Sequence, residues 1–195
     1  MSHLCLRIIR EEHAALAAML RSLTLMVERG PKLDSAAYFS VLRAMLFYVD
    51  EFPERLHHPK ETELLFPMIR RHSAEINAEL DHLDRDHAKG EAGIRELQHL
   101  LLAWEFMGEM RRGAFEGACL RYVNFYLEHM RLEESLILPT AERCLSEAEW
   151  RELDEAFANN RDPLTRQFSP DPAYERLFAT ILLNAPAPIG VGEDV

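Results

Sequence analysis

The stretch HHPKETELLFP, from His57 to Pro67, is repeated in outline by EHMRLEESLILP, from Glu128 to Pro139. In each stretch a histidine comes four residues before a glutamate, and an apolar run closed by proline follows. Residues four apart lie one above the other on an α-helix, so each stretch places an imidazole and a carboxylate on the same face. Two such faces turned towards each other would form a metal site.

Apolar residues recur at spacings of three and four along most of the chain, which predicts a mainly α-helical fold. Strand signals are nearly absent. The predicted long helices cover residues 4–29, 35–50 with a continuation to about 71, about 73–110 and about 114–145. Pro53 and Pro59 predict a kink or a short break within the second helix, with His57 at the edge of regular helix. Short connections between long helices favour an up-down-up-down four-helix bundle.

We expect this bundle to occupy residues 1–145, with accessory helices and a tail at 146–195 packed on the same domain. Ser146 and Glu149 stand at the spacing of a capping box, which predicts a short helix directly after them. A last short helix is predicted for AYERLFATILLN. The connector RDPLTRQFSPDP is predicted to be extended, and APAPIGVGEDV has the composition of a loose terminus.

The composition excludes several classes of protein. With 22 basic and 33 acidic residues the formal charge is −11, so nucleic acid and anionic membranes are poor partners. No apolar run reaches the length of a membrane span, and charged residues interrupt the first turns, so we expect a cytoplasmic protein. The cysteines, Cys5, Cys119 and Cys144, are isolated and predict neither disulfides nor a thiolate metal site.

Each predicted bundle helix carries a histidine on its apolar face. With a rise of about 1.5 Å per residue, these histidines and the two paired glutamates fall about 15 to 24 Å from the same end of the bundle. A buried ring of imidazoles and carboxylates is unfavourable unless cations compensate the charge, and a pair of divalent metal ions does so. The candidate metal ligands are His13, His57, Glu61, His87, His129 and Glu133.

Other readings of these residues remain open. A histidine four residues before a glutamate is a weak motif by itself, and a lone histidine on an apolar face is more often a hydrogen-bonded core residue. His58 adjoins His57 and is expected at a supporting or surface position. Glu91 could reach the site from one turn beyond His87 but is more simply outside it, and Tyr126 is most simply a core aromatic whose hydroxyl could also enter the pocket. The histidines expected at the surface or at helix junctions are His3, His72, His82 and His99.

The chain resembles the hemerythrin-like, HHE cation-binding family. The resemblance covers about Leu4 to Leu145 and is carried by EEHAAL, HHPKETELLFP, LDRDHAKGE and YLEHMRLEESLILP. It implies a four-helix bundle in which the six candidate ligands hold two non-haem iron ions. Glu61 and Glu133 would then bridge the irons, with an oxide or hydroxide completing the site.

Within this family the ligand pattern departs from that of the oxygen carriers. Leu83 stands four residues before His87, where the carriers have a further histidine, and Glu133 follows His129 by four residues, where they have an aspartate five residues on. The set of four histidines and two glutamates is more similar to the di-iron proteins implicated in repair of iron centres and in the nitric oxide response.

The resemblance therefore implies a protein that binds or senses dioxygen, nitric oxide, peroxide or iron itself. The enzymatic alternative is an oxidase, a peroxidase or an iron-donating repair factor. Separately, the spare apolar residues near the C-terminus are compatible with a homodimer. A purely structural bundle is the remaining alternative. A ferritin-like carboxylate site is less favoured, because the fourth helix lacks the Glu-x-x-His spacing found at Glu54/His57, Glu79/His82 and Glu96/His99.

Overall fold

The computed structural model describes residues 3–31, 35–165 and 172–192, and within these ranges the chain forms helices and no strands. The α-helices are α1 (Leu4–Arg29), α2 (Ser35–Val49), α3 (His58–Lys60), α4 (Phe66–His72), α5 (Asn77–Met107), α6 (Arg112–Leu132), α7 (Leu138–Cys144), α8 (Glu147–Ala158) and α9 (Glu175–Asn184). Wider π-helical turns lie at Asp50–His57, Glu61–Leu65 and Glu133–Ile137. Short 3-10 turns lie at Glu109–Arg111, Pro163–Thr165 and Pro172–Tyr174. The all-α class is confirmed.

The bundle is built from α1, the run α2 to α4, α5, and the run α6 to α7. Helix α1 contacts α2 and α6, and α5 contacts the same two helices, so the four long segments form a closed ring. Gly30 ends α1 with a φ of 68°, and Gly108 ends α5 with a φ of 83°. Both glycines occupy a backbone region that favours residues without a side chain, and both mark a reversal of the chain.

Two apolar clusters fill the bundle, and the polar centre lies between them. Along α1, Leu6 and Ile9 belong to one cluster, while Leu16 and Leu20 belong to the other. His13 falls between these two pairs and is buried. The same order on the other helices leaves a polar layer across the middle of an otherwise apolar core.

The C-terminal region packs on this bundle. Trp150, Leu153 and Phe157 of α8 join the cluster beside Leu6, and α9 contacts α2. Ser146 caps α8: its side chain accepts a hydrogen bond from the backbone N–H of Glu149, and the Glu149 carboxylate accepts one from the backbone N–H of Ser146. The predicted capping box is therefore confirmed.

The prediction of a loose terminus is wrong for residues 185–192. The backbone N–H of Val191 donates to the carbonyl of Leu182 at 2.9 Å, and the Ser22 hydroxyl donates to the carbonyl of Pro186 at 2.8 Å. Residues 193–195 lie outside the described chain. The predicted extended connector contains a 3-10 turn at Pro163–Thr165, and its residues 166–171 also lie outside the described ranges.

No helix in the described ranges is both long enough and apolar enough to cross a membrane.

Candidate metal centre

Both His-x-x-x-Glu stretches contain a wide helical turn that begins at the glutamate. At Glu61, the N–H of Phe66 donates to the carbonyl five residues back, and Pro67 follows. The arrangement recurs at Glu133, where the N–H of Leu138 donates to its carbonyl and a proline again follows. A proline has no N–H to offer the residue four positions before it, which favours the wider turn. The repeat seen in the sequence is therefore a repeat of backbone geometry.

A kink or a short break was predicted at Pro53 and Pro59, and the break is wrong, because the chain stays helical through both. A wide turn ends at His57, and the N–H of His58 donates to the carbonyl of Pro53. His57 does lie at the junction between this turn and the short α3, as expected for a residue at the edge of regular helix. The prolines alter the pitch of the helix rather than ending it.

The two consecutive histidines both lie inside the bundle, with His57 4% and His58 5% exposed. Their rings are 87° apart and face different neighbours. The His57 ring lies 5.1 Å from that of His13, whereas His58 stacks on His87 at 4.4 Å. The surface position considered for His58 is therefore wrong, and its imidazole lies among the candidate ligands.

The two carboxylate oxygens of Glu61 lie beside different imidazoles. Oε1 is 3.2 Å from Nε2 of His57, and Oε2 is 3.5 Å from Nε2 of His87. The side chain is fully buried. Glu61 therefore connects the second bundle helix to the third across the centre.

Glu133 divides its oxygens in the same way. Oε2 is 3.3 Å from Nε2 of His13. Oε1 is 3.2 Å from Nε2 of His129 and 3.7 Å from Nε2 of His87. Two buried carboxylates thus each join a group of imidazoles on one side of the bundle to a group on the other.

These contacts bring all the sequence-predicted ligands together and add His58. Potential ligand atoms within 4.8 Å of one another occur in two sets that share Glu61, namely His13, His57 and Glu61, and His58, Glu61, His87 and His129. Glu133 joins both sets by the distances above. Glu91 stays outside, exposed and paired with Arg95. The Tyr126 hydroxyl donates to Glu54 rather than entering the centre.

The remaining histidines lie away from this centre. His3 stacks on Trp150, and His72 pairs with Glu149 at the surface. His82 and His99 are exposed on α5. His72 ends α4 at a helix junction, and His82 and His99 face solvent, as expected.

The atoms that face the centre lack hydrogen-bond partners. Buried atoms without one include His57 Nε2, both oxygens of Glu61, His87 Nε2, both nitrogens of His129 and both oxygens of Glu133. Buried polar groups are normally paired, and leaving so many unpaired in one place is unfavourable. A metal ion pairs with imidazole nitrogens and carboxylate oxygens together, so this donor set fits a metal centre.

The other ring nitrogen of most candidate ligands is held by a hydrogen bond. A carboxylate or a hydroxyl oxygen accepts a hydrogen bond from Nδ1–H, which leaves Nε2 directed at the centre. The partners of Nδ1 are Glu134 for His13 at 3.1 Å, Glu12 for His57 at 2.6 Å, Glu54 for His58 at 3.0 Å and Thr62 for His87 at 2.8 Å. The sequence reasoning missed these partners, although Glu12 and Glu134 directly adjoin predicted ligands.

One supporting residue comes from beyond α8. The Asn160 amide donates to Oε2 of Glu12 at 2.9 Å, and its carbonyl oxygen accepts from Lys60. Two residues later, Asp162 accepts from the Tyr48 hydroxyl at 2.6 Å. Both Asn160 and Asp162 are buried. No spacing rule in the sequence links them to the centre.

The electrostatics of the centre favour protons wherever a cation is absent. Burial alone would lower the pKa of His13, but the carboxylates of Glu133 and Glu134 raise it from 6.5 to about 9. For His87, the two central carboxylates likewise outweigh burial and raise the pKa to about 9. Burial and neighbouring imidazoles lower the pKa of His58 well below 6.5. A metal ion entering this site must displace the protons of His13 and His87.

A narrow cavity lies against one side of the centre, next to His13, His57 and His58. Its apolar wall comes from Leu16, Phe52, Pro53 and Leu56. The polar part of the lining is supplied by Glu12, Asn160 and Asp162. The free space is narrow, about that of one water molecule.

Comparisons with known proteins bear on this geometry. A search of curated proteins gave no match to the chain. The family model of the hemerythrin HHE cation binding domain matches residues 5–141, a range that contains all of the candidate ligands and most of the chain. The chain therefore belongs to the hemerythrin HHE cation-binding family of helical metal-binding proteins.

Proposed function

We propose that the chain holds two non-haem iron ions, bridged by Glu61 and Glu133. The main support for this proposal is that the two oxygens of each carboxylate lie beside imidazoles of different groups. Imidazole and carboxylate ligands suit iron, manganese and zinc, and the family favours iron. Because two glutamates offset half the charge of two ferrous ions, an oxide or hydroxide bridge completes the centre.

His58 is the seventh ligand in this proposal. His13 and His57 would coordinate one iron, and His58, His87 and His129 would coordinate the other. The resulting set has one imidazole more than the set of four histidines and two glutamates on which the similarity to iron-centre repair proteins rests. The outer hydrogen bonds hold the ligands in place, which favours retention of the metal over its donation.

We infer that the iron beside His13 and His57 binds the external ligand. This iron has fewer protein donors than its neighbour. The narrow cavity adjoins both of its imidazoles, but only His58 of the three imidazoles of the other iron. A narrow cavity beside the centre favours a small ligand such as dioxygen, nitric oxide or hydrogen peroxide over a larger substrate. The function that follows is binding or sensing of one of these molecules.

A peroxidase or oxidase is the second candidate, favoured by the acidic lining of the cavity. Burial raises the pKa of Asp162 to about 6, so its carboxyl group exchanges protons near neutral pH. A proton source beside the cavity assists the reduction of dioxygen or peroxide to water.

Metal content after anaerobic loading with ferrous iron tests the di-iron proposal, with His129→Ala as the control. Two irons per chain are expected in the wild type, and fewer than one would refute the proposal. Dioxygen is then added to the ferrous protein. A reversible adduct excludes the oxidase, whereas prompt oxidation with release of peroxide excludes the carrier.

A further inference from the structure

Two tyrosines of α6 share one acceptor in the interior of the bundle. The Tyr122 hydroxyl donates to Oε1 of Glu54 at 2.9 Å, and the Tyr126 hydroxyl donates to the same oxygen. All three side chains are buried, with Glu54 6% exposed. A buried carboxylate is expensive to desolvate, and packing between helices does not require one. The cluster therefore calls for a chemical explanation.

The cluster is joined to the candidate metal ligands. The second oxygen of Glu54 accepts a hydrogen bond from Nδ1 of His58 at 3.0 Å. The Tyr126 ring lies nearly parallel to the His58 ring at 5.5 Å and edge-on to the His129 ring at 5.6 Å. One carboxylate and one layer of ring contacts thus separate the phenols from two imidazoles of the centre.

Helix α5 is shaped to admit both phenols. A methyl group at Gly90 would lie 1.8 Å from the Tyr126 hydroxyl and 2.9 Å from Oε1 of Glu54. At Gly93 it would lie 3.0 Å from the Tyr122 ring. Glycine inside a helix costs about 1 kcal/mol relative to alanine. Both of these glycines stand where a side chain would displace a tyrosine.

We propose that Tyr122 and Tyr126 form a redox-active pair that supplies electrons to the metal centre when hydrogen peroxide is reduced, with Glu54 accepting the phenol protons. This inference rests on the di-iron centre proposed above. Loss of an electron makes a phenol strongly acidic, so its proton must leave with the electron. The hydrogen bonds to Glu54 provide that acceptor at both hydroxyls before the reaction begins.

The electrons and atoms balance with the pair as the only donor. Hydrogen peroxide takes up two electrons and two protons as its O–O bond breaks, and two molecules of water form. Each tyrosine gives up one electron and one proton and becomes a neutral tyrosyl radical. Glu54 takes up the phenol protons in turn and returns each one, so both finish in the water produced.

A reductant can restore the pair from outside. Tyr122 lines a surface groove between α5 and α6, together with Lys89 and Arg121. Arg121 favours a negatively charged one-electron donor such as ascorbate, whereas Lys89 is paired with Asp86 at 3.0 Å and Glu96 also borders the groove. The pair thus lies between the centre and a surface that a small reductant can reach.

Tyr48 is a matched comparison within the chain. Its buried hydroxyl also donates to a buried carboxylate, that of Asp162, at 2.6 Å. Its ring packs on Phe52 and Phe178 and forms no ring contact with a candidate ligand. Burial and a carboxylate partner are common to Tyr48 and the pair, although Asp162 also borders the cavity. A difference between Tyr48 and the pair therefore reports the ring contacts and the Glu54–His58 hydrogen bond that Tyr48 lacks.

Freeze-quench electron paramagnetic resonance of the full chain tests the proposal. The protein is loaded with iron and oxidised to the diferric state, so that the iron itself has no electrons to give to peroxide. Its metal content is verified, and it is then mixed with hydrogen peroxide. We expect a tyrosyl radical signal that is lost in the Tyr122→Phe/Tyr126→Phe double variant and retained in Tyr48→Phe. Phenylalanine keeps the ring packing but removes both donors to Glu54, which supports His58. Each protein is therefore loaded until its iron content and its optical spectrum before mixing match those of the wild type.

Absence of a tyrosyl radical in wild-type protein with two irons would overturn the redox pair while leaving the di-iron centre intact. Failure to bind iron at all would refute the centre itself, and the pair with it. A radical that persists in the double variant or disappears in Tyr48→Phe would assign the donor elsewhere. If the double variant does not fold, fluorotyrosine at position 126 keeps the hydroxyl, and an unchanged hyperfine pattern in the radical would then overturn the proposal.

Discussion

The Asn160 amide donates a hydrogen bond of 2.9 Å to Oε2 of Glu12, across 148 residues of sequence. The same oxygen lies 2.6 Å from Nδ1 of His57. Asn160 comes after the range matched by the family model, 5–141. A segment outside the family domain therefore contacts Glu12, the residue that is hydrogen-bonded to the candidate ligand His57. The accessory C-terminal region therefore acts on the centre and does more than cover the bundle.

Replacing Asn160 with alanine should weaken iron binding. Glu12 loses a donor and the His57 ring loses its fixed orientation, and loss of such outer partners typically costs about 10- to 100-fold in metal affinity. Competition with a chelator measures the change. Asn159→Ala is the matched control, because Asn159 is exposed and its amide donates only to the carbonyl of Glu155. Equal affinities in the two variants would contradict the role given to Asn160.

Replacing His58 with alanine should reduce the iron content from two ions per chain towards one. The imidazole lies in the set with His87 and His129, so the iron on that side loses one of its nitrogen donors. Elemental analysis of the loaded protein checks this, with the exposed His99→Ala as the control. Full occupancy and an unchanged optical spectrum in His58→Ala would place His58 outside the coordination sphere.

Helical periodicity was enough to predict the bundle and the common level of the candidate ligands. A histidine such as His13, on a stripe of otherwise apolar residues, marks a polar layer because the stripe must face the core. Because every bundle helix carries such a histidine, the candidate site could be predicted from the sequence. The family model then matched the same part of the chain.

Features that depend on helix pitch or on distant residues were not predictable in this way. A constant 3.6-residue repeat directs His57 and His58 about 100° apart and so assigns only one of them to the core. The wide turn that ends at His57 changes this relation, and both rings are buried. Asn160 has no local signal at all, since its role depends on where the chain after α8 meets α1.

Alanine at Gly90 should destabilise the protein by roughly 1 to 3 kcal/mol, the usual cost of overpacking a core. The added methyl group collides with the Tyr126 hydroxyl, and that hydroxyl cannot retreat without losing Glu54. Gly117→Ala is the matched control, because its methyl group meets only the end of the Arg121 side chain at 3.4 Å. There the gain in helix propensity, up to about 1 kcal/mol, should appear as stabilisation. Denaturant unfolding of both variants measures the change in the free energy of unfolding. Stabilisation by Gly90→Ala would show that the phenols are loosely held.

Raising the pH from 6.5 to 9 should strengthen metal binding and weaken the metal-free fold. The pKa values of His13 and His87 are raised to about 9 in the folded protein, so each metal ion that enters displaces protons there. Below the folded pKa, affinity should rise about tenfold per pH unit for each proton displaced. The stabilising effect of the raised pKa is complete below 6.5 and disappears as the pH passes 9, so the metal-free protein should lose stability over the same range. Anaerobic ferrous titrations and unfolding of the chelator-treated protein measure the two trends.

The half-exposed Glu134 provides the control for this pH dependence. Its carboxylate is among the groups that raise the pKa of His13, and glutamine in its place keeps the shape without the charge. Glu134→Gln should therefore lower the pKa of His13 and reduce both pH trends, while those due to His87 persist. If metal affinity and stability depend on pH as steeply in this variant as in the wild type, protons at His13 do not govern metal entry. The pH dependence would then originate at His87 or His57. Neighbouring carboxylates also raise the pKa of these two histidines, against the effect of burial.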